Sequence, residues 1–176
     1  MTPTMLSAIW IFLSISIALG QLLSAGQTDW IVHGNLSQGL FANCYLQECQ
    51  LRSSLWPLFI LTLYLFGISL LFFSSLIATP YLIFTNNAKP IELSANAQLI
   101  GVLLMGITVI SVPIMNIEEI HCTANQLLQS HYCRIGWAYA LACVLSLISM
   151  CCPLMARLIA DHRKTYSFIA IQDCTL

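Results

Sequence analysis

The sequence predicts an all-α membrane protein with four transmembrane helices. Apolar residues make up 59% of its 176 residues, and it has only six basic and seven acidic residues. Soluble proteins carry about 25% charged residues, so a soluble domain could not cover its surface with so few. The apolar residues fall in four long runs, each near or above the roughly 20 residues that a spanning helix needs. Because these runs lack the alternation of barrel strands, we interpret them as helices, which satisfy their own backbone hydrogen bonds in lipid.

The predicted spans follow the order of the chain. They cover residues 5–25, 55–83, 95–115 and 135–159. A secretory signal peptide is the alternative for the first run, because small residues at 24–26 offer a cleavage site. However, no basic residue precedes this run, whereas signal peptides begin with a positive region. We therefore expect a retained span and a single four-span domain.

The distribution of basic residues predicts the orientation, because cytoplasmic loops are enriched in Lys and Arg. The loops at 26–54 and 116–134 share one side of the membrane and carry Arg52 and Arg134. The opposite side, which includes the tail at 160–176, carries four basic residues: Lys89, Arg157, Arg163 and Lys164. We therefore expect a multi-pass plasma-membrane protein with both termini in the cytoplasm and the two larger loops outside.

The first outer loop contains signals of an extracellular fold. Asn35 begins an N-x-S tripeptide, which is an acceptor for N-glycosylation. Cys44 and Cys49 are close enough to form a disulfide in an oxidising compartment, with two free thiols as the alternative. Apolar segments at 30–32 and 40–41 could form short strands pinned by this disulfide. Trp30 itself is either part of that core or an interfacial anchor.

The second outer loop combines histidines with cysteines. It contains His121, Cys122, His131 and Cys133. Such a quartet can bind zinc. In an extracellular loop we favour a Cys122–Cys133 disulfide instead, and we expect no metal site.

The first loop also contains a recognisable series of residues. Trp30 follows the first span, Gly39-Leu40-Phe41 comes next, and then Cys44 and Cys49. Arg52 lies near the start of the second span. This pattern resembles the claudin superfamily of claudins, peripheral myelin protein, epithelial membrane proteins and the calcium-channel gamma or AMPA-receptor auxiliary subunits. Phe41 stands where the family has a second Trp, as in a divergent member.

The resemblance implies a left-handed bundle of four transmembrane helices that carries a small extracellular antiparallel β-sheet. Trp30, Leu40 and Phe41 would pack this sheet against the ends of the helices. The Cys44–Cys49 disulfide would hold the sheet together.

The sequence contains no recognisable catalytic or transport motif. The spans contain almost no ionisable residue, which argues against a pump or coupled transporter. Nothing in the sequence indicates an enzyme, a cofactor, a small-molecule substrate or a nucleic-acid partner, and a net charge of −1 agrees with the last point. Cys151 and Cys152 are candidates for S-palmitoylation near the membrane surface, with buried small hydrophobic residues as the alternative.

Two functions from different classes fit these observations. The first is a non-enzymatic protein of cell junctions whose outer loop mediates cell–cell contact or membrane organisation, with a second copy of itself as partner. The second is an auxiliary subunit that packs laterally against a larger channel or receptor and changes its gating or trafficking. In both cases the lipid bilayer surrounds the helices.

Overall fold

The computed structural model describes most of the chain. Its backbone is described at residues 3–45, 48–51, 55–85, 88–120 and 133–173. Its side chains are described at residues 5–45, 48–51, 55–85, 88–114 and 134–165. The predictions for Arg52, the second-loop His/Cys quartet and the Cys122–Cys133 pair concern side chains outside the described residues, although the backbone of Cys133 is described.

Four long apolar segments of the chain are helical, as predicted. Helices α1 (Pro3–Ala25), α2 (Leu55–Phe84) and α3 (Lys89–Ile120) each form one continuous segment. The fourth segment consists of α4 (Trp137–Ser149) followed by α5 (Cys151–Asp173). Each of the four contains a stretch long and apolar enough to cross a membrane. The chain is thus a multi-pass membrane protein.

The fourth segment is interrupted at Met150, where the sequence suggested one continuous helix. Pro153 explains this break, because proline lacks a backbone N–H and its ring clashes with the carbonyl four residues earlier. That carbonyl belongs to Ser149, the last residue of α4. At the break, the Met150 N–H bonds to the carbonyl of Leu147, three residues earlier, at 3.3 Å. A second difference is that α3 begins at Lys89, ahead of the apolar run that starts near Ala95.

Each helical segment packs against its neighbours in the sequence. Helix α1 contacts α2 and both halves of the fourth segment, and α3 does the same from the other side. The α2–α3 interface is the most extensive. Gly67 and Gly101 allow this approach, because a Cβ on either would lie 2.7 Å from the carbonyl oxygen of the other. Gly106, also in α3, has open space where a Cβ would lie.

A five-stranded antiparallel sheet lies at the end of the bundle where α1 ends and α2 begins. Its strands are β1 (Ile31–His33), β2 (Leu36–Gln38), β3 (Ala42–Tyr45), β4 (Glu48–Leu51) and β5 (Cys133–Ile135). The strand order is β4-β3-β2-β1-β5. Strands β1 to β4 form consecutive hairpins, and β5 adds a strand from the second loop to the edge at β1. The predicted small antiparallel sheet is confirmed, and it joins the two loops.

Candidate functional site

Trp30 joins the sheet to the helices at the sheet end, which is the end of the bundle that carries β1–β5. Its side chain is fully buried, and its Nε1–H donates a hydrogen bond of 2.9 Å to the carbonyl of Ser24. The edges of Tyr64 and Tyr139 pack against the indole with centroid distances of 5.7 Å each. Trp30 therefore contacts α1, α2 and α4 together and is a core residue, not an interfacial anchor.

The backbone around Trp30 fixes the sheet in the same place. The N–H of Trp30 bonds to the Gln38 carbonyl at 3.2 Å, and its carbonyl accepts the N–H of Gly136 at 2.9 Å. Gly136 immediately precedes α4, and a Cβ at this position would overlap the Asp29 carbonyl. The start of the fourth segment is thus pressed against the segment that leads into β1.

The predicted glycine and apolar residues of the first loop lie beneath the sheet. A Cβ on Gly39 would lie 2.7 Å from the Gln27 carbonyl oxygen, so this chain crossing requires a glycine. Leu40 is buried in the main hydrophobic core, and Phe41 is half-buried. Leu40 and Phe41 lie between β2 and β3 and are not in a strand themselves.

The disulfide between Cys44 and Cys49 links β3 to β4, so its prediction is confirmed. The two cysteines face each other in the strand register, with their Cα atoms 4.1 Å apart. Every residue of β4 is exposed, and the side chains of Tyr45 and Leu51 are 57% and 78% exposed. The disulfide therefore holds a strand that makes little use of burial, and the β3–β4 hairpin exposes one large side chain from each strand, Tyr45 and Leu51.

The β1–β2 turn presents the predicted glycosylation acceptor. Asn35 is exposed in this turn. Gly34, before it, has a φ of 57°, which is a backbone conformation that glycine adopts readily. N-glycosylation of Asn35 stays a prediction.

A buried polar cluster lies directly below Trp30. The side-chain amide of Gln21 donates to the Ser146 hydroxyl at 3.0 Å and to the Ala142 carbonyl at 3.4 Å. The Tyr64 hydroxyl donates to the Gln21 amide oxygen. The Ser24 hydroxyl donates to a carbonyl of α4 at 2.8 Å. These bonds connect α1, α2 and α4 within the apolar interior.

A second buried polar cluster surrounds Gln98 of α3. Its amide oxygen accepts the Trp10 Nε1–H at 3.2 Å. Its amide nitrogen donates to the hydroxyls of Ser75 at 2.9 Å and Ser14 at 3.4 Å. The two glutamines thus form hydrogen bonds to residues of neighbouring helices, and such bonds stabilise a bundle in the membrane. The sequence shows that Gln21 and Gln98 lie within predicted spans, but it does not give their partners.

The opposite end of the bundle, here called the terminal end, carries ionic contacts. Lys164 pairs with Glu92 at 2.8 Å, and the Arg157 guanidinium donates to Asn96 at 3.3 Å. Arg163 donates to backbone carbonyls at the C-terminal end of α2, at 2.7 Å each to Leu82 and to Thr85, which directly follows the helix. A cation at a helix C-terminus compensates the unpaired carbonyls there. These contacts attach α5 to the ends of α2 and α3.

The cysteines considered for palmitoylation differ in exposure. Cys151 is exposed and Cys152 is fully buried, and both lie about midway along the stretch Trp137–Thr165. Palmitoylation remains a prediction, and Cys151 is the more accessible of the two. Within the part of the chain that the structure describes, no group of three His, Cys, Asp or Glu residues could hold a metal ion.

Comparisons of this chain with family models and with curated proteins found no match. The geometry of the sheet end and of the spans is therefore the basis for assigning a function.

Proposed function

We propose that this protein is a divergent member of the claudin superfamily that mediates contact between cells or organises the plasma membrane. In this proposal the sheet end is extracellular, the termini are cytoplasmic, and the protein performs no chemistry. The observation that carries the proposal is the five-stranded sheet, which combines both loops and is fixed to three helices through Trp30.

A surface that recognises a partner must keep its shape, since ordering a flexible loop on binding costs free energy. The sheet satisfies this requirement through the Cys44–Cys49 disulfide and the buried Trp30. Tyr45 and Leu51 project from the fixed strands and are exposed. Aromatic and large apolar side chains on a rigid support are typical of the centre of a protein–protein interface.

The polar clusters around Gln21 and Gln98 support a scaffold role for the spans. Their hydrogen bonds connect helices to one another, and the side chains that make them are uncharged. Transport paths and proton relays usually contain ionisable side chains at membrane depth. We therefore assign recognition to the sheet end.

The test is an assay of contact between cells. Cells that express the protein with a fluorescent tag are mixed with cells that do not. We expect enrichment at contacts where both cells express it, compared with contacts where only one does. The double variant Tyr45→Ser, Leu51→Ser should lose most of this enrichment, because it removes the exposed apolar side chains of β3 and β4.

A matched control separates loss of contact from loss of folding. Phe84→Ser removes an exposed aromatic side chain at the terminal end, and it should retain full enrichment. Surface biotinylation checks that each variant reaches the plasma membrane. Absence of enrichment, together with recovery of the protein in a stable complex with a larger membrane protein in mild detergent, would favour the auxiliary-subunit function instead.

A further inference from the structure

A groove runs along the outside of the α2–α3 pair toward the terminal end. It encloses about 650 Å³ and is lined by residues of these two helices. This volume lies within the roughly 300–1,000 Å³ typical of sites for small ligands. On α2 the lining extends from Phe66 to Tyr81, and on α3 it extends from Lys89 to Ala97. With a rise of about 1.5 Å per residue, the stretch on α2 is about 22 Å long.

The groove forms because α2 contributes bulky side chains to its wall and α3 contributes small side chains to its floor. Phe66, Phe73 and Ile77 form a wall on α2, at spacings that place them on one helix face. On α3 the small residues Ser94 and Ala97 form the floor. The Ser94 hydroxyl donates to the Ser74 carbonyl at 2.8 Å, so the floor satisfies its own polar group.

The two ends of the groove differ in chemistry. Toward the middle of the membrane its lining is mainly aromatic and aliphatic, as at Phe66 and Phe73. At the terminal end it reaches Lys89, which is exposed at the start of α3. Around this end, up to residue 165, four basic residues stand against two acidic ones: Lys89, Arg157, Arg163 and Lys164 against Glu92 and Asp161. The groove is therefore an apolar slot whose lining includes Lys89, at an end of the bundle that carries an excess of positive charge.

We propose that this groove binds one anionic phospholipid of the leaflet at the terminal end. One acyl chain lies along the α2–α3 slot, and the phosphate lies near Lys89. The slot faces the bilayer and exceeds the hydrocarbon depth of one leaflet, which is about 15 Å, half of the roughly 30 Å core. Basic residues at a membrane surface attract anionic lipids at about 1 kcal/mol each. This site does not depend on the proposed contact function.

The test uses the purified full chain in phosphatidylcholine vesicles that contain a small fraction of phosphatidylglycerol with a photoactivatable acyl chain. A parallel sample carries the same acyl chain on phosphatidylcholine. After illumination, mass spectrometry maps the labelled residues. We expect several-fold more labelling of the groove residues by phosphatidylglycerol than by phosphatidylcholine, and equal labelling by the two lipids on other membrane-facing surfaces.

Two variants fill the groove, and one control variant lies outside it. Ala97→Phe fills the floor, and Leu93→Trp fills the slot from a side chain that is 72% exposed, so it leaves the packed interior unchanged. Each should reduce groove labelling several-fold, whereas Ile110→Phe, on the exposed surface of α3 outside the groove, should not. Circular dichroism and gel filtration confirm that each variant is folded.

A charge variant tests the headgroup. Lys89→Gln should remove the preference for phosphatidylglycerol and leave labelling by phosphatidylcholine unchanged. Arg134→Gln removes an exposed basic residue at the sheet end and should preserve the preference. Equal groove labelling by the two lipids in the unaltered protein would overturn the proposal, and so would labelling that both filling variants leave unchanged.

Discussion

Trp30 and Gly136 meet at the point where the two loops join. The indole of Trp30 contacts three helices, and its carbonyl accepts the Gly136 N–H. The sequence predicted the importance of Trp30 because its position after the first span matched a known pattern. The close contact at Gly136 could not be predicted from the sequence, because it arises only when the distant Asp29 carbonyl lies against this glycine.

Gly136→Ala should destabilise the protein, because the added methyl group overlaps the Asp29 carbonyl and must displace the backbone of either segment. We expect a loss of about 1–3 kcal/mol, the usual cost of overpacking. Gly106→Ala is the matched control, since open space surrounds Gly106 within α3. It should be neutral or slightly stabilising, because alanine favours a helix over glycine by about 1 kcal/mol.

The measurement is the fraction of monodisperse protein that remains after heating in detergent, followed by gel filtration with fluorescence detection. Gly136→Ala should lower the midpoint temperature clearly, while Gly106→Ala should match or exceed the unaltered protein. Equal midpoints for the two variants would contradict the close contact between Gly136 and Asp29.

The helical spans can be recognised from hydropathy, whereas a strand such as β5 depends on its pairing with a distant strand. The four spans could be predicted because each consists of a long apolar run, and length and composition alone define such a run. The ends were less accurate: α3 begins at Lys89, since the turn before Ala95 also packs, with Ile91 and Ser94 buried. Strand β5 was not predicted at all, because it is short and its pairing with β1 connects distant parts of the chain.

Strand β4 should depend strongly on the disulfide. It lies at the edge of the sheet next to β3, and each of its residues is exposed. Cys44→Ser should therefore release β4, with a loss of about 2 kcal/mol for a closed loop this short. We expect the variant to be retained in the secretory pathway and to become sensitive to protease between β3 and β4.

Surface biotinylation and limited proteolysis measure these two effects. Cys151→Ser is the control, since this exposed cysteine lies within the fourth segment and is not in a disulfide. It should reach the surface normally. Normal surface delivery and protease resistance of Cys44→Ser would show that strand pairing alone holds β4.

At the scale of the whole molecule, the two ends of the bundle differ in chemistry. The sheet end has strands, a disulfide and the buried Trp30, whereas the terminal end has Lys164–Glu92 and the contacts of Arg163. The sequence predicted this asymmetry from the loops and their charges. It could not provide the two polar clusters inside the bundle, because each glutamine finds its partners on other helices.

The orientation of these ends in the membrane leads to a prediction at Asn35. If the sheet end is extracellular, the exposed acceptor in the β1–β2 turn passes through the compartment where N-glycans are attached. The protein should then migrate faster on a gel after glycosidase treatment. Ser37→Ala destroys the acceptor and should abolish this shift, whereas Ser37→Thr retains an acceptor and should preserve it. A C-terminal epitope tag should be stained only in permeabilised cells. Staining of that tag in intact cells would show that the orientation is the opposite one, because the terminal end and the sheet lie at opposite ends of the bundle.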